Sequence, residues 1–130
     1  MEDFKNLVNT MNQMHPTLKF TFEASNCSIN YLDLTIFKGK RFKETGILDT
    51  RVYTKPTETY QYLHKSSSHP KHVFNAFIYG ETLRYARNTN NEEDFTNKIE
   101  TFTNHLMTRG YTHDEVYTQI QKVSHHQRKI

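Results

Sequence analysis

The chain has 130 residues and one cysteine, and its 17 Lys and Arg residues outnumber its 14 Asp and Glu residues, giving a net charge of +3 at pH 7. This length fits one domain or a tightly joined pair, and the single Cys27 excludes an intramolecular disulfide and a cluster of zinc-bound thiolates. Because no apolar run approaches the roughly 20 residues that span a bilayer and the N-terminus is acidic and amphipathic, we expect an intracellular protein, nuclear or cytoplasmic, without a membrane partner.

The first predicted elements are a helix and three strands. Apolar residues at helical spacing predict a helix over residues 3–13, which His15-Pro16 ends because proline cannot continue the hydrogen-bond ladder. Alternation of apolar and polar residues predicts a strand over residues 18–23. Residues 29–37, rich in β-branched and aromatic residues, predict a more fully buried strand, and residues 46–53 predict a third.

In the second half of the chain, apolar residues recur at the spacing of helices. Pro70 is suited to a helix start, and Gly80 predicts a break or kink in the helix that follows. Asn91 begins a helix with acidic residues in its first turn, for which Gly110 is the expected C-cap. The sequence from Thr112 to Glu115 matches a capping box at the start of a last helix.

These elements predict an α+β fold with an N-terminal helix, a three-stranded antiparallel sheet and a C-terminal bundle of three to four helices. We expect a division into residues 1–57 and residues 58–130. Within the second part, the helices joined near Gly110 predict a helix-turn-helix over residues 91–127.

Positive charge is concentrated in the middle of the chain. Residues 38–71 carry eight Lys or Arg residues and three carboxylates, whereas residues 84–115 carry four basic and six acidic residues. The tail, residues 116–130, adds Lys122, Arg128 and Lys129 with no acid. This distribution fits a phosphate-facing surface with a solvated back, although an ordinary charged surface would have the same composition.

Five short motifs between residues 53 and 111 follow one another in an order that resembles a known family. They are Tyr-x-Lys-Pro-Thr at residues 53–57, Tyr62-Leu63, Ser-x-His-Pro-x-His at residues 67–72, an Arg-bearing segment at residues 84–87 and Arg-Gly-Tyr at residues 109–111. Together with segments 19–23 and 29–34 they resemble the region beyond the catalytic palm in reverse transcriptases of Penelope-like retroelements. The chain departs from that pattern at Phe77-Ile78-Tyr79, where the family has Ile-Pro-Tyr, and in the separation of Arg84 from Arg87.

The resemblance implies a late-palm sheet with a primer-grip-like hairpin, followed by a helical thumb that contacts an RNA and DNA template-primer. The catalytic aspartates and their Mg²⁺ would belong to an upstream part of the polymerase, which would also be a partner. Within this chain the strand carboxylates are Glu23, Asp33 and Asp49, and no Tyr-x-Asp-Asp pair occurs. Since two-metal transfer needs clustered carboxylates, we expect no cofactor in this chain and no polymerisation by it alone.

Nine residues are the candidate nucleic-acid contacts. Lys55 precedes a proline at a strand end, where a stiff loop would present its ammonium group to a phosphate. Tyrosines near it could stack on a sugar or base, or fill the core. Basic residues at a helix N-terminus would add to the amides that favour anions there. The predicted contacts are Tyr53, Lys55, Tyr60, Lys65, His69, Lys71, His72, Arg84 and Arg87.

Other interpretations of the sequence remain. His64, His69 and His72 could hold zinc if the fold brought them together, the Ser66–Ser68 run beside His69 lacks a nucleophile elbow, and His125-His126 could touch phosphate. A stand-alone helix-turn-helix DNA-binding module, in which Gln119, Gln121 and Lys122 read bases, is the alternative from another class. A remnant without activity is the third.

Overall fold

The computed structural model describes residues 2–124 and confirms the predicted α+β class. An N-terminal helix precedes a three-stranded antiparallel sheet, and three helices follow the sheet. Within residues 2–124, none of the helices has the length and apolar character needed to cross a membrane. The elements are α1 (Glu2–Gln13), β1 (Ser28–Tyr31), β2 (Leu34–Phe37), α2 (Phe42–Thr45), β3 (Asp49–Val52), α3 (Lys71–Asn88), α4 (Glu92–Thr108) and α5 (His113–Ile120).

Residues 18–23 were expected to form a strand, and this prediction is wrong. The segment has no regular secondary structure and forms an arm that lies against α1. The Asn12 side chain accepts a hydrogen bond from the Phe20 amide (2.5 Å) and donates one to the Phe20 carbonyl (3.0 Å), so one side-chain amide satisfies backbone groups that a neighbouring strand would otherwise pair. The Phe4 and Phe22 rings meet edge to face with centroids 5.3 Å apart.

Residues 29–37, predicted as one buried strand, form a hairpin instead. The chain turns at Leu32, whose φ of 55° lies in the left-handed region, and Tyr31 then pairs with Leu34 across the turn. β1 is at the sheet edge and mostly exposed. The third predicted strand is confirmed over the shorter span of β3. The sheet therefore has the expected three strands, but β1 and β2 both come from the segment that was predicted as one strand.

The sheet is joined to the helices through β3. The backbone amide and hydroxyl of Thr50 both donate to the Asn90 side-chain oxygen (2.8 and 2.6 Å), and the Asn90 amide donates to the Thr50 carbonyl (2.9 Å). Asn90 follows the end of α3, and Val52 packs against the helical core. The two halves of the chain are therefore in direct contact, while their division at residue 57 stays a prediction.

α3 runs through Gly80 without interruption, so the predicted break does not occur. Gly80 is exposed, and a glycine in a helix costs only about 1 kcal/mol relative to alanine. Each large apolar side chain buried on the same helix contributes roughly 1.5 to 3 kcal/mol, which outweighs that cost. The buried core cluster consists of Phe74, Ile78, Tyr85, Phe102, Leu106, Tyr111 and Val116.

The predicted caps of α4 and α5 are confirmed. The Asn91 side chain accepts from the Glu93 amide (2.9 Å), and Thr112 and Glu115 form a complete capping box. Gly110 has a φ of 88° immediately after the C-cap residue Arg109, which is the usual position of a left-handed glycine. The helix-turn-helix expected over residues 91–127 thus has its two helices between Glu92 and Ile120, and residues 125–130, with the predicted contacts at His125-His126, lie outside the described residues.

Candidate nucleic-acid interface

Residues 62–65 lie against the turn between α4 and α5. The Arg109 side chain donates to the Tyr62 carbonyl, the Lys65 amide donates to the Arg109 carbonyl, and the Tyr111 hydroxyl donates to the Leu63 carbonyl, each at 2.9 Å. The Tyr-Leu and Arg-Gly-Tyr motifs, nearly fifty residues apart in sequence, therefore bind each other. We call this set of contacts, made by residues 62–65 with residues 109–111, the turn clamp.

Lys65, a predicted phosphate contact, is engaged within the protein. Its ammonium group lies 2.7 Å from a Glu115 carboxylate oxygen and 5.3 to 5.4 Å from the ring centroids of Tyr111 and Phe74. The hydrogen bond from Lys65, followed by that from the Thr112 backbone, lowers the pKa of Glu115. Lys65 is therefore an ionic link between the turn clamp and α5.

A cleft of about 430 Å³ brings four of the predicted residues together, namely Tyr53, Lys55, Tyr60 and Arg84. It lies between the β1–β2 turn, the segment after β3 and one side of α3 and α4. Sequence reasoning considered Glu81 as a partner of Arg84 but assigned no role to Glu58 or Lys98 in this lining. Asp33, Glu58 and Glu81 contribute carboxylates and Lys98 a third cation, so the cleft is balanced in charge rather than basic.

Arg84 is the central cation of this cleft and makes two ion pairs. Its guanidinium group lies 2.8 Å from Asp33 in the β1–β2 turn and 3.0 Å from Glu81 one turn earlier in α3. These contacts tie the hairpin to the helix, and they occupy donors that the resemblance would direct to nucleic acid. Arg87, three residues later, is exposed and has no ion pair with any residue of the described part of the chain.

Lys98 lies in the floor of the cleft. Its ammonium donates to the Thr54 hydroxyl (2.5 Å) and lies 5.4 Å from the centroid of the Tyr85 ring. Burial lowers the pKa of Lys98, and the nearby positive charge of Arg84 lowers it further. One sequence signal could have located this residue: Lys98 is three residues after Phe95 and four before Phe102, so it shares the apolar face of α4.

Two tyrosines of the cleft are held by protein contacts. The Tyr60 ring stacks on His105 with centroids 3.8 Å apart and planes 12° from parallel, so one ring face is covered. Tyr60 has a φ of 53°, and its amide donates to the Glu58 carboxylate (2.9 Å). The Tyr62 and Tyr85 hydroxyls are 3.4 Å apart, and burial raises the pKa of both.

His69, Lys71 and His72 are exposed at the start of α3. Pro70 is the N-cap residue, and no side chain caps the helix. The Val73 amide donates to the Pro70 carbonyl (2.9 Å), so the amides of Lys71 and His72 are the ones open to an anion. Lys71 and Arg84 are thirteen residues apart on this helix, or about 20 Å at 1.5 Å per residue. The nine predicted residues therefore do not form one surface. Four line the cleft, Lys65 belongs to the turn clamp, three are at the N-terminus of α3, and Arg87 is exposed near the end of that helix.

The three histidines considered as zinc ligands do not form a metal site. His64 bonds to Ser66 (2.7 Å) and His69 to Ser67 (3.1 Å), which accounts for the serine run as local turn contacts. Within residues 2–124, no three His, Cys, Asp or Glu side chains lie close enough to one another to bind a metal ion.

The three residues that the sequence offered as base-reading contacts differ in exposure. Gln119, one of the predicted base-reading residues, is 8% exposed, and its side-chain oxygen accepts from Lys122 (2.7 Å). The prediction that Gln119 reads bases is therefore wrong, because its side chain is buried within the protein. Gln121 and Lys122 are exposed.

The comparison with protein families gives one match. The model of the animal helix-turn-helix domain matches residues 61–121, just under half of the chain. These limits coincide with a structural unit, since the match begins one residue before the turn clamp and ends one residue after α5. No curated protein and no solved structure matches the chain.

Proposed function

We propose that residues 61–121 form a helix-turn-helix module that binds nucleic acid. The observation that carries this proposal is the coincidence between the limits of the animal helix-turn-helix match and the unit made by the turn clamp and helices α3 to α5. In helix-turn-helix modules the second helix lies in the major groove while the first helix crosses the phosphate backbone. Here the capping box and the Lys65–Glu115 ion pair hold α5 in place.

The phosphate contacts of this proposal lie at the N-terminus of α3. Lys71 and His72 are exposed there beside uncapped backbone amides, and Lys55 is exposed at the edge of the cleft. By contrast, Glu92, Glu93 and Glu100 are exposed along α4. A polyanion is repelled by that helix and attracted to the start of α3, so the acidic side of the module faces solvent.

The finer proposal is that this chain is the template-primer-binding part of a Penelope-like reverse transcriptase. Its support is that the family's motifs meet in space: Tyr62-Leu63 binds the Arg109–Tyr111 turn, and Arg84 lies in the cleft that Tyr53 and Lys55 also line. On this proposal RNA and DNA are the partners, together with the catalytic part of the polymerase.

The strand carboxylates do not fit a two-metal site. Asp33 is paired with Arg84 and Asp49 with Arg41, and the two acids lie at opposite ends of the sheet. Two-metal transfer needs carboxylates that share ions about 4 Å apart. The proposal therefore assigns binding and positioning of the polynucleotide to this chain, and catalysis to other residues.

Fluorescence anisotropy with three labelled probes tests these proposals: duplex DNA, an RNA–DNA hybrid and a primed template. The helix-turn-helix module is expected to bind at low salt and to weaken as salt rises, with Lys71→Ala reducing affinity for each probe. The polymerase assignment further predicts a preference for the hybrid or primed template that Lys55→Ala reduces.

Each alternative has its own outcome in this experiment. A preference for duplex DNA that is lost in Lys122→Ala identifies a stand-alone DNA-binding module and contradicts the polymerase assignment. Absence of salt-dependent binding to all three probes contradicts both and identifies a remnant. Lys5→Ala on α1 is the matched control, since it removes one exposed positive charge far from the module in sequence.

A further inference from the structure

We infer that residues 38–43, which we call the basic loop, form a second phosphate-binding surface for the polynucleotide, an inference that rests on the proposed function. The basic loop begins directly after β2, includes the first two residues of the short helix α2, and lies outside the family match. It has four basic residues within six positions, and all four are exposed. They are Lys38, Lys40, Arg41 and Lys43.

The basic loop is held in one arrangement by Asp49. Asp49 is 8% exposed, and its carboxylate lies 2.6 Å from the Arg41 guanidinium group. A Cβ added to Gly39 would lie 2.0 Å from an Asp49 oxygen, closer than any ordinary contact, so a side chain at this position would displace the Asp49 carboxylate. The Phe42 amide donates to the Gly39 carbonyl (3.1 Å) and closes the turn.

This arrangement leaves three ammonium groups for an external anion. Arg41 is neutralised by Asp49, whereas none of the three lysines has an ion pair with a residue of the described chain, 2–124. The Lys38 ammonium lies 5.0 Å from the centroid of the Phe42 ring. Because the loop is already fixed, binding costs little additional ordering of the backbone.

The charges around the basic loop determine on which side of the neighbouring groove a bound strand would lie. A groove of about 630 Å³ separates its lysines from Glu93 and Asp94 at the start of α4. Asp94 faces Arg51 at 3.9 Å, which leaves Glu93 as the acid opposite the loop. A phosphate backbone is therefore attracted to the loop side of the groove and repelled from the α4 side.

The basic loop can act together with the contacts near Lys55. Phe37 pairs with Asp49 at one end of the sheet and Leu34 pairs with Val52 at the other, three residues away. Lys55 follows Val52 by another three residues, so Asp49 and Lys55 are six residues apart, at most about 20 Å along the chain or roughly six nucleotides at about 3.4 Å each. The loop thus extends the contact surface of one polynucleotide beyond the helix-turn-helix.

The test compares two double variants that each remove two positive charges, Lys40→Ala/Lys43→Ala in the basic loop and Lys5→Ala/Lys19→Ala at the N-terminus. Binding of the full chain to labelled duplex DNA and primed template is measured from 50 to 200 mM salt. The loop variant is expected to lose about tenfold in affinity at 50 mM and to reduce the salt slope by about 2, while the control stays within about twofold of the wild type.

A second pair of variants tests position rather than total charge. Glu93→Gln is expected to tighten binding about threefold, whereas Glu100→Gln, an equal charge change on the same helix, leaves it within about 1.5-fold. The inference is wrong if the two double variants change the affinity equally and the two glutamate variants also change it equally, because binding would then depend on net charge alone.

The outcomes also separate this inference from the proposed function. If the loop variant binds like the wild type while Lys71→Ala binds more weakly, the inference about the basic loop is wrong and the helix-turn-helix proposal still stands. A wild-type chain that binds no probe overturns both. Circular dichroism of each variant verifies that it is folded.

Discussion

Lys65 and Glu115 form a 2.7 Å ion pair through the same carboxylate that completes the capping box of α5. One Glu115 oxygen accepts from Lys65, and the other accepts from the Thr112 amide (3.0 Å) and hydroxyl (3.1 Å). A residue fifty positions earlier therefore fixes the N-terminus of the last helix. Because α5 is only eight residues long, its position depends on such external contacts rather than on intrinsic helix stability.

Replacing Lys65 with methionine is expected to lower the free energy of unfolding by about 1 kcal/mol. The variant loses a half-exposed ion pair and two cation–π contacts, each of them a small contribution. Urea denaturation followed by circular dichroism measures the change. Lys71→Met, an exposed position on α3, is the control and should stay within about 0.5 kcal/mol of the wild type. Equal midpoints for the two variants would contradict the structural role of Lys65.

The contribution of Glu115 should depend on pH. Its pKa is lowered in the folded state by the hydrogen bonds from Lys65 and the Thr112 backbone, so its stabilisation is fully present above the unfolded pKa of about 4.5. That stabilisation is lost as the pH falls through the lower folded pKa. The difference in unfolding free energy between wild type and Glu115→Gln should therefore shrink from pH 6 to pH 3. A difference that is constant with pH would show that the ionised carboxylate is not what holds α5.

Two glycine-to-alanine substitutions should have opposite signs. Gly110 has a φ of 88°, and an added Cβ would lie 3.3 Å from the Lys65 Cβ, so Gly110→Ala should cost about 1 to 2 kcal/mol. Gly80 lies within α3 with nothing within 4 Å of an added Cβ, so Gly80→Ala should stabilise by about 0.5 to 1 kcal/mol. Thermal unfolding of both variants checks the pair, and destabilisation by Gly80→Ala would show that α3 is kinked there.

Asn12→Ala should release the arm of residues 18–23 without unfolding the helical core. The substitution removes both hydrogen bonds to the Phe20 backbone. Native-state hydrogen exchange should show at least tenfold faster exchange of the Phe20 amide, with the amides of α4 unchanged. Unchanged protection at Phe20 would indicate that another strand covers the arm in solution.

The sequence predicts the helical half of this fold well because its signals are local. Asn91 and the Thr112–Glu115 pair satisfy the first amides of the helices that they begin, and each acts within four residues of itself. Local signals give the wrong prediction at residues 18–23. Apolar and polar residues alternate there as in a strand, but the backbone of Phe20 pairs with the Asn12 side chain. Gly80 is a similar case, since core packing from distant residues keeps α3 continuous.

The candidate site was less accessible to sequence reasoning because its contacts join distant residues. Lys55, Tyr53, Tyr60 and Arg84 do meet in one cleft, yet the partners that neutralise Arg84 come from the β1–β2 turn and its own helix. Nothing local distinguishes Lys65, which is bound to Glu115, from Lys71, which is exposed. Charge counts along the chain therefore locate a basic region but not the lysines that are free to bind phosphate.

The central claim is that nucleic acid binds at the N-terminus of α3 in a helix-turn-helix module. An NMR titration of the ¹⁵N-labelled chain with a short DNA duplex and with a primed template tests it most directly. We predict salt-sensitive shifts of the amides of Lys71, His72 and Val73, with little change along the exposed acidic face of α4. Shifts confined to α4, or no shifts with either probe at low salt, would contradict the account.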